Sequence, residues 1–189
     1  MASPVAELLG ALGRALESLG MRWYLFGAQA VLLYGGARLT ADVDATVAAG
    51  DRPTALLVTA LAVHGFSLRV GDVHGFVERT RVLPLLHDAS GMPLDLVLGG
   101  PGPEELFLAR AVTRQMEGVS VPVAAAEDLL AMKILAGRPK DIEDSRAIIA
   151  ALGDRLDVSL ARNTLRELEA ALDQSDLLPA LEDLLRRRR

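Results

Sequence analysis

The sequence predicts an α+β fold, and two observations predict it. Strand-patterned and helix-patterned runs mix through the first two-thirds of the 189 residues, and helical patterning takes over in the last third. The expected organisation is a core over residues 1–120 with a helical C-terminal region, 121–189, packed on it.

The elements follow in order. Ser3 and Pro4 make a cap and a first-turn proline, and the leucine-rich amphipathic run behind them ends at Gly20. Arg22 to Phe26, "RWYLF", is an aromatic-rich strand; Gly27 punctuates it, and "AQAVLLY" is a brief helix ending at Gly35 and Gly36. "ADVDATV" alternates polar and apolar positions, which makes a strand with Val43, Ala45 and Val47 on one face. Asp51, Arg52 and Pro53 open a helix that Gly65 stops. From Phe66 to Gly99 the pattern is strands and turns: "FSLRV", "GFVERTRVLPLLH" and "PLDLVLG". A short helix, "EELFLARAV", follows Pro103, and "VSVPVA" is a short extended piece. "AAEDLLAMKILAG" is strongly helical, Pro139 interrupts it, and "DIEDSRAIIAAL" restarts a helix. The remainder is helical with breaks near Asn163 and Pro179.

Composition sets the outer limits. With 51% hydrophobic and 24% charged residues the chain has the makings of a packed core and does not read as disordered. No apolar run reaches the roughly 18 to 20 residues of a membrane span, and the N-terminus lacks the basic start of a secretion signal. Cysteine is absent, so disulfides and thiolate metal sites are excluded, which fits a cytoplasmic location. The net charge of −5 argues against holding nucleic acid by bulk attraction. The terminal run "LLRRRR", Arg186 to Arg189, reads as a solvated helix end that suits the helix dipole. His64, His74 and His87 are not at ligand spacing, so no zinc site is expected. "GGPGP", Gly99 to Pro103, lacks the lysine of a Walker loop.

The residues that ask for a function are Asp42 and Asp44. On a strand, residues i and i+2 share a face, so the two carboxylates project together while Val43 points away. Paired carboxylates are unfavourable unless a cation lies between them. Magnesium commonly takes one or two carboxylates and fills its other positions with water and substrate phosphate. Asp95 is the only charged residue between Pro93 and Gly99; if its strand lies beside the first, three carboxylates converge. Such a set can hold one or two cations for displacement at phosphorus, and Asp95 can help deprotonate an acceptor hydroxyl. A simpler alternative makes these aspartates partners of Arg22, Arg38 or Arg69 in a structural network. The preceding context favours the site: Gly27 allows close backbone approach where a helix begins, and Arg38 and Thr40 add a cation and a hydroxyl just ahead of the pair.

"FGAQAVLLYGGARLTADVDATV" resembles the signature of the DNA polymerase β-like nucleotidyltransferase superfamily: a hydrophobic strand, a glycine pair or Gly-Ser, a short helix, Arg-x-Thr and Asp-x-Asp. It is especially similar to the abortive-infection type E toxin group, and it also looks somewhat like the aminoglycoside and lincosamide nucleotidyltransferases. The resemblance implies a mixed sheet flanked by helices, with magnesium on Asp42, Asp44 and Asp95. It also implies triphosphate contacts at Gly27 and Ala28. Because Ala28 stands where many relatives have Gly or Ser, contact there falls to the backbone N–H. The block "AEDLLAMKILAGRPKDIEDSRAI" resembles the helical segment that follows the catalytic strands in the toxin-like members.

Lys133 has two readings. Its place in the apolar stripe of Leu129, Leu130, Met132, Ile134 and Leu135 suggests a solvated flank residue, whereas the resemblance makes it a triphosphate ligand. Asp141 reads as an N-cap with Asp144 three residues on, which leaves the clustered cations Lys133, Arg138 and Lys140 without a structural reason. By resemblance Arg138, Lys140 and Asp141 organise the nucleotide site, with Asp141 orienting a basic neighbour. The expected activity is magnesium-dependent transfer of a nucleoside monophosphate from a nucleoside triphosphate to an acceptor hydroxyl. Lys133 and Arg38 would stabilise charge on the phosphates. The toxin resemblance points to an RNA or tRNA acceptor and a controlling antitoxin protein, and the Lys133–Asp141 block puts that reading first. The antibiotic-modifying resemblance points to a small hydroxylated molecule, and a non-catalytic nucleotide-binding module is the third reading.

Overall fold

A computed structural model describes residues 3–36 and 40–188. Arg38, which the sequence places at the site, and Arg189 lie outside the described residues. The chain opens on α1 (Pro4–Ser18), whose N-terminus is capped by the Ser3 hydroxyl accepting from the Ala6 N–H at 3.2 Å. There follow β1 (Trp23–Phe26), α2 (Gly27–Leu33), β2 (Val43–Ala48), α3 (Thr54–Val63), β3 (Phe66–Leu68), α4 (Val73–Thr80), β4 (Val82–His87) and β5 (Met92–Gly99). The second half holds α5 (Pro103–Arg110), β6 (Val112–Met116), β7 (Val119–Val123), α6 (Ala126–Ala136), α7 (Pro139–Leu152), α8 (Val158–Leu172) and α9 (Leu177–Arg186).

The seven strands form one mixed sheet in the order β3-β4-β5-β2-β1-β7-β6. At its centre β2 pairs antiparallel with β1 and parallel with β5, and β1 pairs parallel with β7. Strand alternation divides the sheet into two unlike faces. One carries Leu25, Val43, Ala45, Val47, Leu94 and Leu96, all fully buried, with α1 lying against β5 and β7. The other carries Tyr24, Phe26, Asp44, Thr46, Asp95 and Val97, brought level by the registers Phe26↔Asp44 and Asp44↔Asp95. The C-terminal helices and α5 wall this second face.

Several elements differ from expectation. "GFVERT" forms α4 rather than the start of a strand: Asp72 accepts from the Gly75 N–H at 3.0 Å, and Arg81 closes the helix in the left-handed conformation, φ 56°. No α4 residue is fully buried, so the helix rests lightly on the sheet. β6 is an edge strand joined to β7 through Glu117 and Gly118, both at positive φ, as a two-residue hairpin turn requires. β7 spans the expected boundary at residue 120, so the helical region begins with α6. α8 runs unbroken through Asn163, and Pro179 sits in the first turn of α9, where its missing N–H has no helical partner to lose. The breaks fall instead at Gly153–Asp157 and Asp173–Asp176, around a single 3-10 turn and a left-handed Asp173.

Candidate active site

The end of β1, the start of β2 and the start of β5 meet at one edge of the polar sheet face, and the α6–α7 joint closes over them. The result is a cleft of about 250 Å³. Gly27, Ala28, Thr40, Asp42, Asp44, Asp95, Lys133, Arg138, Lys140 and Asp141 all line it. Every site residue expected from the sequence is therefore gathered in one place, apart from Arg38, which is not described.

Gly27 is obligatory on two counts. Its φ is +68°, and a Cβ built there would run into the Asp44 carboxylate, lying 2.7 Å from Cγ. The turn from β1 into α2 thus passes directly over Asp44, with nothing larger than hydrogen between them. Asp44 itself is half-buried. Burial first, then the charges of Asp42 and Asp95, push its carboxyl up from the ordinary 3.8 to about 6, against partial relief from Lys133 and Lys140.

The other two carboxylates have local partners. Asp42 precedes β2 and accepts a hydrogen bond from the Thr40 hydroxyl. Asp95 is held by the Arg69 guanidinium, whose Nε also donates to the Leu85 carbonyl at 3.0 Å. The arginine partner anticipated for a strand aspartate is therefore real for Asp95, and Arg69 belongs to the site although no motif marked it. Among the described residues, no three His, Cys, Asp or Glu side chains are gathered closely enough to hold an ion as they stand. The donor set nonetheless fits magnesium by type, since it offers carboxylate oxygens alone. It also fits by electrostatics, because Asp44 is a half-buried carboxylate beside two others.

The α6–α7 joint corrects two expectations. Lys133 is not a solvated flank residue: it is 6% exposed, with its ammonium 3.0 Å from Asp141 Oδ1 and 2.7 Å from Asp144 Oδ2. Asp141 is not an N-cap. α7 begins at Pro139, two residues earlier, and Asp141 lies fully buried in its first turn, where it accepts from Lys133 and from both Nε and Nη2 of Arg138. Burial alone would raise the Asp141 carboxyl, but the hydrogen bonds and charges of Arg138 and Lys133 outweigh it and hold the group below its usual range. Two acids thus fix the Lys133 ammonium beside the cleft, while Lys140 is exposed at its rim.

A mixed seven-stranded sheet flanked by helices in this order is a nucleotidyltransferase-type fold, and solved structures share it. The antibiotic-resistance factor ANT(2'')-Ia matches with a TM-score of 0.58 and 16% identity over 92% of this chain and 97% of that one. An antigenic nucleotidyltransferase-like protein from Paracoccidioides brasiliensis matches with a TM-score of 0.55 and 21% identity over 95% and 94%. The lincosamide antibiotic adenylyltransferase LnuA, solved with lincomycin bound, matches with a TM-score of 0.51 and 18% identity over 78% and 99%. At these identities the likeness establishes the fold. No family model matches the sequence, and no curated protein matches it either.

Proposed function

We propose that the protein is a magnesium-dependent nucleotidyltransferase that moves a nucleoside monophosphate from a nucleoside triphosphate to an acceptor hydroxyl. The carrying observation is the cleft itself, where three carboxylates, an obligatory glycine and the cations Lys133, Arg138 and Lys140 face one another. Asp42, Asp44 and Asp95 would hold magnesium, which when bound neutralises phosphate charge and polarises phosphorus. The acceptor oxygen forms a bond to the α-phosphorus as the bond to pyrophosphate breaks. The hydroxyl proton passes to Asp95 once that carboxylate releases Arg69. Lys133, pinned by Asp141 and Asp144, and the exposed Lys140 would receive the charge that develops on the leaving pyrophosphate.

A small hydroxylated acceptor is the reading we favour. It is supported by the acidic net charge and by structural neighbours that are antibiotic-modifying enzymes. Transfer to RNA or tRNA, with an antitoxin as partner, is supported by the sequence resemblance alone.

The test is a thermal shift with each of four nucleoside triphosphates, with and without magnesium, on wild type and Asp44→Asn. A rise in wild type that needs both nucleotide and magnesium, and that the variant loses, is expected. No rise with any nucleotide would sink the reading and leave the aspartates a structural network with Arg69.

A further inference from the structure

The polar face of the sheet continues past the carboxylates. Two residues further along the central strands, Thr46 and Val97 floor a second pocket of about 410 Å³. Phe107 of α5, Leu135 of α6, and Leu168 and Leu172 of α8 wall it. Phe26 and Met132 line both this pocket and the carboxylate cleft, so the two form one trough. Its ends are chemically opposite. Lys133, Arg138 and Lys140 line the carboxylate end, whereas among the described residues no lysine, arginine or histidine lines the far end, whose ionisable groups are Glu104 and the buried Tyr24. At the far rim Leu135 and Leu172 stand 37% and 49% exposed and extend the apolar wall to the surface.

Resting on the nucleotidyltransferase reading, we infer that the apolar end is the acceptor subsite, and that the acceptor is a small molecule with an apolar body and a hydroxyl at one end. Displacement at phosphorus is in line, so the incoming hydroxyl and the departing pyrophosphate lie on opposite sides of the α-phosphorus. The cations draw the pyrophosphate to their end; the hydroxyl therefore arrives from the other, across Phe26 and Met132. What binds there must suit an apolar wall. Among the described lining residues a polycation meets one carboxylate, Glu104, and a nucleic-acid backbone meets no cation. An aryl or alkyl body fills the space by burying its surface against Phe107, Leu168 and Leu172.

The experiment is a titration of methyl-labelled protein followed by NMR. The magnesium complex of α,β-methylene ATP, which cannot release pyrophosphate, is added first and 4-phenylbutan-1-ol second. The nucleotide analogue is expected to move the Gly27 and Ala28 amides and the Met132 methyl while leaving the Leu168 and Leu172 methyls in place. The alcohol is then expected to move Leu135, Leu168 and Leu172 saturably. Leu172→Lys and Leu135→Lys, both at exposed positions that tolerate charge without unfolding, should weaken the alcohol about tenfold and leave the analogue response intact. If the analogue itself moves Leu168 and Leu172, the pocket holds the nucleobase and the inference falls. If the analogue binds and the alcohol moves nothing, the acceptor class is wrong while the nucleotide reading stands. If the analogue moves nothing, the nucleotide reading fails and takes the inference with it.

Discussion

Asp44 is the residue at which stability and chemistry pull apart. Moving an aspartate from 3.8 to about 6 corresponds to about 3 kcal/mol against its charged form. The folded protein binds the proton more tightly than the unfolded chain, so this group's contribution to stability is fully present below about pH 3.8 and is lost as pH rises through about 6. Without metal, Asp44→Asn should therefore raise the unfolding midpoint at pH 7.5 by an amount corresponding to about 1–3 kcal/mol, and should flatten the pH dependence between 4 and 6. The same variant should show no further rise on adding magnesium and nucleotide. Urea unfolding of both proteins across that range measures the first effect; a less stable variant would show that Asp44 is held as a structural partner. Gly27 gives the complementary case. Gly27→Ala puts a Cβ into the Asp44 carboxylate at a positive φ, and should cost about 1–3 kcal/mol while abolishing the nucleotide-dependent thermal shift. Retention of that shift would separate Gly27 from the site.

At the scale of elements, α5, α6 and α8 are tied together by one buried carboxylate. Asp128, in the first turn of α6, is fully buried; Arg110 at the end of α5 donates to it at 2.7 and 3.0 Å, and Thr164 of α8 lies at 3.4 Å. Burial pushes the Asp128 carboxyl up to about 6 even with Arg110 beside it, so the arginine offsets only part of the desolvation. Arg110→Ala should cost about 3–5 kcal/mol at neutral pH, the usual loss when one partner of a buried pair is removed. The loss should shrink at pH 5, where Asp128 takes up a proton, and urea melts at both values would show it. This tie was not legible in the sequence, because its three members are 18 and 36 residues apart and none belongs to a motif. Local signals read well where they were self-contained: the Ser3–Pro4 cap, the alternation of Val43, Ala45 and Val47, and the Gly27 turn. They failed where tertiary context decided. α4 buries no residue fully, β6 exists as the partner of β7, and Asn163 is an ordinary helix-surface residue. Lys133 followed the same rule: its position in an apolar stripe was visible, but the two acids that make its burial tolerable come from the next helix.

For the whole molecule, the question is whether charge permits a nucleic-acid acceptor. The net charge is −5, so bulk attraction opposes RNA, and local clusters would have to supply the binding. The candidate cluster is the C-terminal arginine run, yet Arg186 and Arg187 pair with Asp183, and Arg188 pairs with Asp154 while donating to the Gly153 carbonyl. Arg186 and Arg187 spend their charge within α9, and Arg188 ties the end of α9 to the turn that follows α7. Phosphate contacts would have to break those pairs and would make affinity fall steeply with salt. The expectation is that a tRNA transcript shows no retention by the protein at micromolar concentration in about 0.15 M salt, an ionic strength at which unpaired surface charge is largely screened beyond about 8 Å. The triple variant Arg186→Gln, Arg187→Gln, Arg188→Gln should leave that result unchanged and lower thermal stability slightly. Gel-shift measurements across a salt series decide it. A complex in wild type whose salt slope falls in the triple variant would assign the run to phosphate, and would return RNA to first place as the acceptor.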